Sequence, residues 1–181
     1  MLRLLTVGLL LGLLNADRIW ADWHDMSIAV VDDFTEVGKK ARREMLPILL
    51  MVSQDHCSFC EQLKREVLNP MVISGEYDDK VVIIELLLDI GGEVVNFEGD
   101  RVDPDTIASN YNIWVTPTLL FLDHQGKEVH KRMLGVNTIE MFGYYLDESL
   151  KDALAAIQQG EPYRYKTNEM DQLGRDPHRD M

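Results

Sequence analysis

From Met26 onward, apolar residues recur at spacings of three and four: Ile28, Val31, Phe34, Val37, Ala41 and Met45, with charges between them. One apolar face on an otherwise charged segment predicts an amphipathic helix from Met26 to about Met45, ended by Pro47. Ile48-Leu49-Leu50-Met51-Val52 is apolar at every position and bounded by Pro47 and Ser53, which predicts a short strand buried on both faces. Ser53 to His56 reads as a polar turn. Cys57 then opens a second helix on which Cys60, Leu63 and Val67 share a face, and Asn69-Pro70 stops it.

Val81 to Leu88 is a second apolar strand, interrupted only by Glu85 and closed by Asp89. Ile90 to Val102 is rich in glycine and acids and reads as an insertion with a small hairpin inside Glu93 to Phe97. Asp103-Pro104 has the form of an N-cap followed by proline at the first helical position, predicting a short helix to Tyr111. Thr118 to Leu122 is a third strand, Asp123 to Gly126 a turn, and Glu128 to Met133 a strand pairing back as a hairpin. After Gly135, the series Ile139, Phe142, Leu146, Leu150, Leu154 and Ile157 defines a long helix stopped by Gly160. Strands alternating with helices predict an α/β fold, a central mixed β-sheet with a parallel pair and helices on both faces.

The two ends read differently. Met1-Leu2-Arg3 precedes an uncharged run from Leu4 to Leu14, and small residues follow at Ala16 and Ala21. As a helix that run would span about 17 Å at ~1.5 Å per residue, short of a hydrocarbon core of about 30 Å. The layout is that of a secretory signal peptide over residues 1–21, which predicts export. Residues 22–160 form the predicted domain. Glu161 to Met181 has little apolar content and no period, and reads as a flexible tail.

Charge narrows the function. Eighteen Lys and Arg stand against 31 Asp and Glu, a net charge of −13. Nucleic-acid binding draws its affinity from basic side chains, so this balance argues against it.

The chain has two cysteines, three apart, as Cys57-Ser58-Phe59-Cys60. A thiol at the start of a helix has its thiolate favoured by unpaired backbone N–H groups and by the helix dipole. Cys60 lies one turn further in, on the face assigned to the core. It is near enough to attack a mixed disulfide at Cys57 and shielded from attack itself, the asymmetry that thiol–disulfide exchange requires. Two alternatives stand beside exchange. A structural strap would close only a very short loop and stabilise little. A metal site would need ligands beyond the pair, and only His56 neighbours it in sequence.

These residues, together with Tyr111-Asn112-Ile113-Trp114-Val115-Thr116-Pro117-Thr118, resemble the thioredoxin superfamily over about residues 30 to 158. The likeness is closer to exported thioredoxin-like proteins, including the SoxW-like group, than to cytosolic thioredoxins. It rests on the leader, on His56 to Leu63 and on the insertion before Asp103. It implies a thioredoxin fold, a cis bond at Thr116-Pro117 and a Thr116 backbone that hydrogen-bonds a substrate chain laid beside Cys57. It further implies a thiol–disulfide oxidoreductase whose redox group is the Cys57–Cys60 disulfide, with no other cofactor and no metal. The partners implied are protein thiols and disulfides, with electrons drawn from a membrane thiol transporter. A periplasmic monomer is expected.

Phe59 and Trp114 are expected at the rim, contacting partner proteins, and His56 either stabilises the Cys57 thiolate or shapes that rim. Two departures from cytosolic thioredoxins stand out. His56 replaces the usual Trp, and Met51 occupies the place of the buried Asp that serves the inner thiol. Glu85, alone in an apolar strand, is the candidate replacement, an acid whose burial would let it take the Cys60 proton. The competing function is a thioredoxin-like metal-binding or chaperone protein using Cys57, Cys60 and His56 as ligands.

Overall fold

Every residue of Ile48–Ser53 is buried, and successive side chains enter different cores. Leu49 and Met51 face one layer of helices, while Ile48, Leu50 and Val52 face the other. The unbroken apolar run therefore describes the central strand of a sheet covered on both sides. The computed structural model describes residues 27–89 and 91–160; the expectations for the leader and for the tail lie outside them.

Strands β1 (Ala29–Val30), β2 (Ile48–Ser53) and β3 (Val82–Leu87) precede a two-residue pair, β4 (Val94–Val95) and β5 (Arg101–Val102). Strands β6 (Thr118–Leu122) and β7 (Glu128–Leu134) complete the set. The main sheet runs β1-β3-β2-β6-β7, with β1, β3 and β2 parallel and β6 and β7 antiparallel. Helices α1 (Phe34–Glu44) and α4 (Pro104–Asn110) place Phe34, Ala41 and Ile107 on the face of Leu50. Opposite lie α2 (Ser58–Leu63), α3 (Asn69–Ser74) and α5 (Ile139–Gln159), with Cys60, Leu63, Met71, Phe142 and Leu146 packed beside Met51 and Phe121. The expected mixed sheet with helices on both faces is present.

Three local expectations are corrected. The first helix begins at Phe34, not Met26, because Asp33 caps it by accepting N–H bonds from Thr35 at 2.8 Å and Glu36 at 3.3 Å. The residues before it form β1, paired with Ile84 and Glu85. Ile28 and Val31 are buried in different cores, so their spacing of three does not mark one helical face.

Asn69-Pro70 does not end the second helical run. Pro70 has no N–H and crowds the carbonyl four residues before it. The chain passes through a π-helical stretch, Lys64–Leu68, in which the Asn69 N–H reaches the Lys64 carbonyl, and continues into α3. In the insertion, the hairpin pairs Val94 with Val102 and Val95 with Arg101, so its second strand lies beyond Phe97. The insertion sits on α1, with Val95 bridged to Asp33 and the Phe97 and Phe34 rings 5.0 Å apart.

Gly38 fixes how closely α1 lies against the β6–β7 turn. A Cβ there would stand 2.5 Å from the His124 carbonyl oxygen, a backbone atom that cannot swing aside. Gly38→Ala should therefore destabilise the domain by about 1–3 kcal/mol, although alanine is the better helix former. Chemical denaturation would register this as a lower midpoint at unchanged slope.

Candidate functional site: a disulfide at a helix start

Strand β2 ends at Ser53, and the turn after it carries the chain from the end of this central strand into α2. His56 makes that corner with a left-handed backbone (φ 58°). Cys57 follows as the N-cap of α2, its sulfur accepting the Cys60 N–H at 3.2 Å. The helix start thus holds the first sulfur against a backbone donor, the group that favours a thiolate there.

Cys57 and Cys60 are joined as a disulfide, with Cα atoms 5.2 Å apart. Their surroundings differ sharply. Cys57 is half-buried, while Cys60 is fully buried in the core with Leu49, Met51 and Leu63. Only the first sulfur is open to a partner.

Pro117 lies opposite, and the Thr116–Pro117 peptide bond is cis. Thr116 Oγ1 is 3.7 Å from Cys57 Sγ and 3.2 Å from Gln54 Oε1. Two segments about sixty residues apart in sequence are thereby brought side by side. Gln54 was not among the sequence candidates: a polar residue in a turn carries no signal until the fold sets it against Thr116.

The rim is apolar. Phe59 is 56% exposed and Trp114 73%, so neither belongs to the core. The His56 side chain is 94% exposed, with Asp55 Oδ2 3.5 Å from its Nε2. A charge so placed is well screened by solvent, which weakens any electrostatic effect on Cys57.

Glu85 is only 3% exposed and pairs in register with Met51 on the face that holds Cys60. The carboxylate is not isolated. Ser53 Oγ donates to its Oε1 at 2.5 Å, and Lys64 Nζ stands 3.1 Å from the same oxygen. Lys64 also reaches the exposed Glu61 at 2.7 Å. Burial works to lower the Lys64 pKa, but the hydrogen bonds and charges of Glu61 and Glu85 outweigh it and hold the ammonium above its ordinary value. Among the described residues, no group of three or more His, Cys, Asp or Glu side chains is placed to hold a metal ion, and no helix is long and apolar enough to cross a membrane.

The family model of the thioredoxin-like domain matches residues 34–150, the segment that carries both the disulfide and Pro117. The chain belongs to the thioredoxin-like family. Among solved structures, this thioredoxin-like chain is similar to thioredoxin f from spinach chloroplast, with a TM-score of 0.50 and 19% identity over 71% of this chain and 94% of that one. It is similar also to the oxidoreductase DsbH, with a TM-score of 0.50 and 16% identity over 71% of this chain and 87% of that one. At such identities the likeness concerns the thioredoxin fold alone. No curated protein matches the chain.

Proposed function

We propose that this thioredoxin-like protein is an exported thiol–disulfide oxidoreductase that reduces protein disulfides. The observation that carries the reading is the unequal exposure of the two joined sulfurs, one open at a helix start and the other sealed in the core. In the dithiol form, the Cys57 thiolate attacks a partner's disulfide, giving a mixed disulfide and releasing one partner thiolate. Cys60 then loses its proton and attacks Cys57 Sγ, restoring the Cys57–Cys60 bond and releasing the second partner thiolate. Two electrons pass to the partner, and an external dithiol donor must return them.

Within this reading Glu85 accepts the Cys60 proton. The backbone at Thr116 and Pro117 is the bed for the partner chain, with Phe59, Trp114 and His56 at its edge. Export to the periplasm is supported by the charged start and the apolar run before residue 21. A membrane thiol transporter as electron donor, and kinship with the SoxW-like group, are supported by the sequence resemblance around Cys57. The protein acts as a monomer on protein thiols and disulfides, without metal or nucleic acid.

Equilibration of the purified domain with glutathione or dithiothreitol buffers tests the direction of electron flow. A reductase should show a potential near that of thioredoxin, about −270 mV, and its dithiol form should reduce insulin. A value near −120 mV would make it an oxidant and overturn the reductive direction.

A further inference from the structure

Resting on the reading that the protein reduces protein disulfides through Cys57, we propose that Gln54 is a substrate-binding residue. Its side-chain amide hydrogen-bonds the main chain of the partner beside the disulfide under attack. It thereby favours disulfides of polypeptides over those of small thiols.

Strand register puts Gln54 in place. Strands β2 and β6 pair antiparallel as far as Val52 and Thr118, so two residues further along each brings Gln54 opposite Thr116. There the Thr116 hydroxyl donates to Gln54 Oε1 at 3.2 Å and stands 3.7 Å from Cys57 Sγ. A hydroxyl has one proton, and an amide oxygen accepts it better than a disulfide sulfur does. With the disulfide closed, that proton belongs to Gln54. The amide is thus a single hydroxyl away from the sulfur that a partner can reach.

The turn that carries Gln54 is held from its other side as well. The next residue, Asp55, donates its N–H to Asp89 Oδ1 at 2.7 Å, and His56 turns the chain with a left-handed backbone.

Stability alone does not call for the Gln54–Thr116 contact. Gln54 is exposed, and water offers both groups an equivalent hydrogen bond, so the net gain is small. What the contact does is orient the amide. With its oxygen turned to Thr116, the amide nitrogen keeps two donors, and the oxygen a second lone pair, for another molecule. That set complements a peptide group, which presents one acceptor and one donor. A long side chain already held in place also loses less rotamer freedom when the partner arrives. Neutrality matters too. A carboxylate at this position would lack the donor and would repel the Cys57 thiolate. The contact reads main chain and not side chains, so the substrate class is an extended polypeptide around its cysteine.

The test compares attack by the fully reduced protein on two mixed disulfides of thionitrobenzoate. One is made with a short cysteine peptide and the other with mercaptoethanol. Both release the same coloured thiolate, followed in stopped flow, and only the first carries a main chain. In Gln54→Met, the ratio of the peptide rate constant to the mercaptoethanol rate constant should fall about fivefold to tenfold, the worth of one hydrogen bond. Gln54→Ala should give the same fall. Esters in place of the amides that flank the peptide's cysteine remove the N–H donor and weaken the acceptor. With that peptide, wild type and Gln54→Met should show the same ratio.

An unchanged ratio in both variants overturns the role of Gln54. So does a fall that persists with the ester peptide, since the lost contact would then not be to the main chain. If the wild-type dithiol releases no thionitrobenzoate from the peptide disulfide, the failure lies instead with the reduction of protein disulfides.

Discussion

Cys57→Ser should abolish disulfide reduction, a loss on the order of a thousandfold or more, while Cys60→Ser should stop turnover at a different point. The half-exposed sulfur is the one a partner can reach, and without it no mixed disulfide forms. Cys60 is fully buried, so its removal leaves the attacking thiol in place and removes only the group that resolves the adduct. Cys60→Ser should therefore accumulate a covalent complex with partner proteins that runs as a larger species on non-reducing gels and collapses on reduction. Cys57→Ser should give no such complex. Trapping through Cys60 in preference to Cys57 would reverse the assignment of nucleophile and resolving thiol.

Phe121→Ala should be the most damaging change away from the redox site. Phe121 is fully buried on β6 in the layer that holds Cys60 and Leu63, and its ring meets His130 edge-on at 5.1 Å. Truncation removes that apolar surface and leaves a cavity that neighbouring strands cannot close, at a cost of about 3–5 kcal/mol. That is a large fraction of the roughly 5–15 kcal/mol by which domains are stable. Thermal unfolding should shift down by roughly 10–20 °C. The same cavity lies on the face that supports the inner thiol, so insulin reduction should fall at temperatures where the variant still folds. A shift of only one or two degrees would mean that Phe121 does not bear on the core as its burial indicates.

Much of this was legible in the chain because the physics is local. The five apolar residues from Ile48 to Val52 mark a strand covered on both faces, as found. Asp103-Pro104 marks a helix start, and Asp103 does accept the Asp105 N–H at 2.9 Å. The last helix ends where Gly160 takes a left-handed backbone (φ 66°). Where two structures share one spacing, pattern fails. Ile28 and Val31 fit a helix, yet pairing with β3 draws their neighbours into a strand and sends the two side chains to opposite layers. Pro70 reads as a stop, yet packing of Leu68 and Met71 in the core keeps the chain helical through a wider turn.

By itself the sequence determined that a Cys-x-x-Cys pair would stand between a buried strand and a helix, since strand, turn and cap are each encoded within a few neighbouring residues. It also singled out Glu85 as the polar interruption of an apolar strand. Only the tertiary structure decided what surrounds these groups. Thr116 and Gln54, 62 residues apart, meet beside Cys57, and Lys64 and Glu85, 21 apart, meet as an ion pair. No local preference specifies such contacts. They arise when β3 pairs with β2 and the helix after Cys60 docks across both, and burial then leaves the Glu85 carboxylate in contact with a cation and a hydroxyl instead of water.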